Sequence, residues 1–276
     1  MQNRGVNFKE EELEAQLSGI MPWMRRIQSL EGKSLMFFIN RRYFMKVALS
    51  LIGCSIFRGP GSSLLAYSHG RPRKGETMAL PSPRYGGGIT VEEAIRSRRT
   101  VRSYAPKPIS LEQLSQLLFA AQGITEEGGF KRAAPSGGAL YPIDIYSVVG
   151  KGGVKGLDSA IYHYIPETHN LKKVASGDRR ELIAGAALYQ MWMAEAPVNF
   201  VITAEYSRIC VKYGNRGVRY AMIEAGHVGQ NIFLQAEALG LRAGIVGAFE
   251  DRKVIKVMEI PSTHQPLLIM PVGFQG

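Results

Sequence analysis

Apolar positions recur at helical spacing in two long stretches of the chain. In the first, Leu111, Leu114, Leu117, Leu118 and Ala121 follow Ser110 and Gln113, a pair placed to close the start of a helix on itself. Gly123 ends that pattern. In the second, Val218, Met222, Ala225, Gly229, Ile232, Ala236 and Leu239 alternate steps of four and three. This predicts a helix over 218–239 with one continuous apolar seam and Gly240 as its stop. Gly226 and Gly229 beside the seam leave room for another helix or a ligand. Thr90 and Glu93 repeat the capping pattern and predict a short helix over 91–97. Residues 179–193 are helical by composition and stop before Pro197. Short apolar runs at 144–149, 161–164, 198–203 and 267–272 predict strands. Helices and strands mix without regular alternation, which predicts an α+β fold.

Outside these elements the pattern lapses. Residues 59–88 are rich in Gly, Pro, Ser and Arg and are expected to form a linker. Residues 124–142 are expected to be a Gly/Pro-rich loop. The extension 1–58 is polar at first, with Glu10, Glu11, Glu12 and Glu14, and then turns basic at Arg41 and Arg42. Tyr43, Phe44, Met45 and Lys46 lead into the 11-residue apolar run 47–57. Paired arginines before such a run resemble a twin-arginine export signal, and the run is too short to span a bilayer comfortably. Export through that machinery is therefore expected over a cytoplasmic location, with Met36 as an alternative start. The residues Leu51-Ile52-Gly53-Cys54 match a lipoprotein box weakly. A retained amphipathic extension of a cytoplasmic protein is the other reading.

Charge alters this picture little. The net charge is +11, but residues 1–75 hold 12 Lys/Arg against 5 Glu, whereas residues 76–276 hold 22 against 18 Asp/Glu. The basicity is concentrated in the extension. The remainder has no basic run interleaved with aromatics, so no nucleic-acid partner is expected. Two cysteines, Cys54 and Cys210, cannot build a disulfide framework or a four-thiolate metal site. The five histidines show no metal-ligand spacing, and no metal is expected. No GxGxxG follows a strand, so a Rossmann nicotinamide site is unsupported.

Three segments carry candidate chemistry. Arg96, Arg98, Arg99 and Arg102 crowd like charges at a helix end, and guanidinium forks suit the oxygens of a phosphate. A solvated basic turn would look the same. The loop Pro135-Ser136-Gly137-Gly138 exposes backbone that can approach a flat ligand. The run Ile245-Val246-Gly247 can pass over a ring face or simply end a strand.

Together, in this order and spacing, the segments resemble the FMN-dependent nitroreductase superfamily, and more narrowly its SagB-type dehydrogenases, which include azoline oxidases. The supporting stretches are SRRTVRSY (97–104), APSGGALYPIDIY (134–146), KYGNRGVRYAMIEAGHVGQNIFLQAEALGL (212–241) and PVG (271–273). The resemblance implies a nitroreductase-like FMN-binding domain over 89–276. Its fold would have a central mixed or antiparallel sheet flanked by helices, in a domain-sharing homodimer with the long helix at the interface. It implies that Arg98, Arg99, Thr100 and Arg102 hold the FMN phosphate and ribityl chain. Pro135, Ser136, Gly137 and Gly138 would line the ring, with Ile245, Val246 and Gly247 against it.

Lys212 and Tyr213 resemble a Lys-Tyr pair linked to catalysis in azoline oxidases, where a desolvated base would take a proton as hydride goes to flavin N5. A surface pair at a helix start is the plainer reading. His227 is expected to be packed or at the interface. Ala139 stands where nitroreductases often carry Asn. Relatives often hold the phosphate with a basic residue beyond the PVG strand, so the arginine cluster is expected to bear more of that role. The expected activity is hydride transfer to or from a small organic or peptidic substrate. The alternatives are an NAD(P)H-dependent nitro or quinone reductase and a low-turnover flavin-binding protein.

Overall fold

A computed structural model of the chain describes residues 76–276. The twin-arginine motif, Cys54, the lipoprotein box and the apolar run 47–57 lie outside the described residues. Among the described residues no helix is long and apolar enough to cross a membrane.

The elements in chain order are β1 (Thr77–Ala79), α1 (Val91–Ser97), α2 (Leu111–Gln122), β2 (Ile143–Val149), β3 (Ala160–Ile165), β4 (Asn170–Ser176), α3 (Arg180–Ala186), β5 (Val198–Ala204), α4 (Ser207–Tyr213), α5 (Arg216–Ala238), β6 (Arg242–Ala243), α6 (Asp251–Met258) and β7 (Gln265–Gly273). The strands form one seven-stranded sheet in the order β1-β4-β3-β2-β5-β7-β6. Every named pair in it is antiparallel. The fold is α+β, an open antiparallel sheet flanked by helices.

β2 and β5 are buried at every position, as strands covered on both faces must be. Their side chains alternate between two cores. Ile143, Ile145, Phe200 and Ile202 join Leu114, Leu117 and Leu118 of α2 and Val228 and Ile232 of α5. Tyr146, Val148 and Val201 point the other way and join Ile183 of α3 and Val254 and Met258 of α6. The long helix and α2 thus cover one face, and α3 and α6 the other.

The capping patterns form as read. Thr90 Oγ1 accepts from Glu93 N at 3.1 Å, and Glu93 accepts from Thr90 N at 3.0 Å. Ser110 and Gln113 do the same at α2, at 3.2 and 2.9 Å. Gly240, at φ +68°, follows the end of α5 in the left-handed conformation that suits glycine.

Several expectations are corrected. The stretch read as linker contains β1, whose Thr77 and Ala79 pair with Lys172 and Asn170. Helix 179–193 breaks after Ala186. Leu188 and Tyr189 sit at φ 55° and 59°, and the chain resumes only as a 3-10 turn, Met191–Glu195. The expected seam of α5 is buried at Ala225, Gly229, Ile232 and Ala236, but the buried face is wider than that seam and leaves out one of its members. Met222 is exposed, whereas Ala221, Glu224, Val228 and Phe233 are buried.

Candidate active site

The arginine segment leaves α1 and is pinned against the end of the sheet. Thr100 bridges Ala243, and Val101 N donates to Ala243 O at 3.0 Å. The hydroxyl of Tyr104 lies within hydrogen-bond reach of both Val101 O and Pro271 O, tying the segment to β7. This brings Arg98–Arg102 beside Gly244–Gly247, two of the three segments singled out in the sequence. Val246 is buried and exchanges both backbone hydrogen bonds with Ile269, while Gly247 is exposed. The Arg98 guanidinium lies 5.1 Å from the Phe233 ring centroid and that of Arg102 5.9 Å from Trp192. Arg99 donates to the carbonyls of Arg96 and Arg98. Among the described residues none of Arg98, Arg99 and Arg102 pairs with a carboxylate, whereas Arg132, Arg179, Arg180, Arg208 and Arg242 all do. Three cations without counterions fit a phosphate.

The third segment lies elsewhere. Pro135 and Gly138 are exposed, Ser136 and Gly137 half-buried. A Cβ on Gly137 would stand 3.3 Å from Ile209 and 3.5 Å from Tyr220, at the start of α5. Gly138 holds φ +66°, and a Cβ there would stand 2.6 Å from the Tyr213 hydroxyl and 3.0 Å from Lys212 Nζ. The loop and the Lys212–Tyr213 pair therefore meet, as glycine alone allows. Lys212 is exposed and lies 5.3 Å from the Tyr213 ring, which meets Tyr220 edge-on. The desolvated surroundings expected of a lysine base are not supplied by this chain alone.

Within one chain the two groups do not meet. Gly137 rests on Tyr220 and Arg98 on Phe233, 13 residues apart on α5, or about 20 Å at the rise of an α-helix. Gly226 lies halfway between them, and a Cβ there would meet nothing. Met222, Ile223, Gly226 and His227 form an exposed strip around it. His227 is thus exposed in the single chain, not packed.

Two clusters escaped the sequence reading. On the sheet face away from α5, Asp144 accepts from His163 Nε2 at 2.9 Å and lies 2.9 Å from Arg208 Nη1. Arg208 Nε also reaches Glu205 at 2.6 Å, and His264 Nδ1 bonds the Tyr146 hydroxyl at 2.8 Å. Burial would raise the Asp144 pKa, but the His163 hydrogen bond and the Arg208 charge hold the carboxyl below its usual range. Burial pushes that of His264 down. Asp144, Glu205 and His264 bring possible metal-ligand atoms within 4.8 Å of one another, which spacing along the chain could not reveal. The Arg208 guanidinium pairs with both carboxylates, so one cation already stands among these groups. His163, Asp144 and Arg208 border a cleft of about 550 Å³, lined also by Tyr141 and Arg132 but by none of the residues assigned to flavin.

The second cluster centres on Glu224, buried in the middle of α5. Gln122 Nε2 donates to its Oε1 at 3.3 Å, while Oε2 is buried without a hydrogen-bond partner. Burial pushes its pKa up to about 7 against the opposing pull of Ser136, Gln122 and Arg132. The signal in the sequence was a glutamate at the inward spacing between Ala221 and Val228.

The nitroreductase family model matches residues 95–274. The chain belongs to the nitroreductase family. A protein of Methanocaldococcus jannaschii that carries a nitroreductase name is 43% identical over 199 residues, covering 72% of this chain and 98% of its own. The microcin B17-processing protein McbC of Escherichia coli is 28% identical over 171 residues, or 60% of this chain and 62% of its own. A crystal structure of a nitroreductase from Anabaena variabilis superposes with a TM-score of 0.64 at 26% identity, over 73% of this chain and 42% of that one. This family member is an oxidoreductase, and its likeness to McbC agrees with the SagB-type resemblance.

Proposed function

We propose that the protein is an FMN-dependent, SagB-type dehydrogenase acting on a peptidic or small organic substrate, as a homodimer in which two chains share each flavin. The observation that carries this reading is the separation of the two half-sites along α5, with the bare Gly226 at their midpoint. A two-fold axis crossing there lays the Arg98 end of one chain against the Gly138 end of its partner. The exposed Met222 and Ile223 would then be covered.

Bound FMN supplies a ring that accepts or gives hydride. Arg98, Arg99 and Arg102 would hold its phosphate, with Thr100 beside them. The Gly247 backbone is open to approach, and the loop Pro135–Gly138 would line the ring. Lys212 and Tyr213 would hold or take the substrate proton at Nζ or the phenol oxygen, once the partner chain excludes water from them.

The test is direct. Purified protein should absorb as a flavoprotein, release FMN on denaturation and sediment as a dimer. A colourless monomer that cannot be reconstituted with FMN would end this reading.

The Methanocaldococcus relative favours a second reading, an NAD(P)H-dependent nitro or quinone reductase. Rapid bleaching of the flavin by NADH or NADPH would select it, whereas bleaching by dithionite alone would select the SagB type. Export by the twin-arginine route remains our proposal for the extension, tested by mapping the mature N-terminus.

A further inference from the structure

We propose that Glu224 is a positioning residue that sets the hydrogen-bond direction of Ser136, and through it what the Pro135–Gly138 loop offers to a ligand. The geometry is specific. Glu224 lies behind the loop, with one oxygen held by Gln122 and the other buried and unpartnered. Gly137, next to Ser136, packs on Tyr220, one turn before Glu224, and Ser136 acts electrostatically on the carboxyl although no hydrogen bond joins the two. Ser136 Oγ meanwhile accepts from Tyr141 N at 3.0 Å, which leaves its own proton to be placed.

Two arrangements satisfy these groups. An ionised Glu224 can only accept, so it draws the Ser136 proton inward. A protonated Glu224 can itself donate to Ser136 Oγ, which has a second lone pair, and the serine proton then turns outward to the face of the loop. Burying a carboxylate with an idle oxygen is costly, so the two arrangements lie close in free energy near neutral pH. The groups that face the carboxyl are few. Gln122 of α2 and Ser136 are neutral, and Arg132 is the charged one. Arg132 itself donates to Gln122 Oε1 at 3.4 Å and pairs with Glu167. On α5, Tyr220 lies one turn before, and His227 one turn after is exposed.

The switch therefore has a reporter that needs no flavin, the Tyr141 amide. Its consequence for a bound ring rests on the FMN reading above, and the two are tested separately. In the full chain without ligand, the Tyr141 amide resonance should titrate with a midpoint near pH 7. Glu224→Gln, which carries both a donor and an acceptor, should abolish that titration while keeping the fold. A Tyr141 amide that does not titrate, or that titrates unchanged in Glu224→Gln, overturns the proposal. If Glu224→Gln does not fold, Ser136→Ala on the half-exposed loop replaces it, and persistence of the Tyr141 titration in that variant overturns the proposal equally.

With FMN added, the wild-type dissociation constant should change by about threefold to tenfold between pH 6 and pH 8 beyond the change seen in Glu224→Gln. The variant controls for the titration of the FMN phosphate. Equal profiles would overturn the link to the ring. Failure of FMN to bind at either pH would overturn the flavin assignment while leaving the Tyr141 result to decide the role of Glu224.

Discussion

Arg208 and Arg98 lie in opposite electrostatic worlds within one small domain. Arg208 is locked between Asp144 and Glu205, with His163 and His264 alongside. Among the described residues Arg98 and its neighbours Arg99 and Arg102 face no carboxylate and rest instead on an aromatic ring, on carbonyls or near an indole. Charge neutralised by the chain itself serves the fold. Charge held in place by rigid, uncharged supports is kept for something the chain does not contain. The arginine cluster was conspicuous in the sequence because its members are neighbours. The ion-paired cluster was invisible because its members come from four places in the chain.

The comparison can be broken most sharply at Asp144. Replacing it with Ala strands Arg208 and His163 around a buried gap, which should cost about 3–5 kcal/mol of stability, the range for breaking a buried pair. Denaturant unfolding at pH 7 measures this. A loss under 1 kcal/mol would show the cluster to be ornamental. Because the Asp144 carboxyl is held below its ordinary 3.8, its contribution is complete above that pH and is lost only as pH falls through the lower folded value. Arg98→Ala should do the reverse. Stability should hardly change, while FMN binding weakens by about 1.5–3 kcal/mol, as for a hydrogen bond to a charged group. Equal flavin affinity in the variant would remove Arg98 from phosphate binding.

Gly138→Ala should have a smaller effect. The left-handed backbone and the crowding against Tyr213 and Lys212 should cost about 1–3 kcal/mol. Thermal unfolding would show the loss, and turnover should fall more than flavin content. Unchanged turnover would mean that the loop and the Lys212–Tyr213 pair do not act together. The effect of Glu224→Gln on stability has the opposite sign. The fold raises the Glu224 pKa from 4.5 to about 7, so stability drains away as pH rises through that window. The variant should gain a few degrees in melting temperature over wild type at pH 8 and less at pH 5. An equal gain at both values would contradict the shift.

What the sequence showed and what it hid follow one rule. Local signals were legible: both capping boxes, the glycine after α5 and the strands around Ile145 and Val201 formed where the pattern put them. Signals that depend on distant packing were not. Helix 179–193 ends at Ala186, where Leu188 and Tyr189 turn left-handed and the Gln190 side chain bonds Ala187 O and Ala248 O, the second partner 58 residues away. The strand β1 hides in a Gly/Pro-rich stretch because only three residues of it pair. The helix over 207–213 was missed because about two turns of mixed residues have no clear period. The site itself was half legible. The arginine segment and the run after Ala243 meet as their order implied, and the loop and Lys212–Tyr213 meet each other. The distance between these two groups is set by the length of α5, which no motif records.

That distance makes the shared site the claim to test. Chains bearing Arg98→Ala and chains bearing Gly138→Ala can be co-expressed with different tags and the mixed dimer isolated. If each flavin lies between the Arg98 end of one chain and the Gly138 end of the other, the mixed dimer has one intact and one doubly damaged site. It should bind one FMN per dimer with wild-type affinity, and that flavin should turn over at the wild-type rate. A mixed dimer whose tightly bound flavin turns over as slowly as in Gly138→Ala would place each flavin within a single chain and contradict the account.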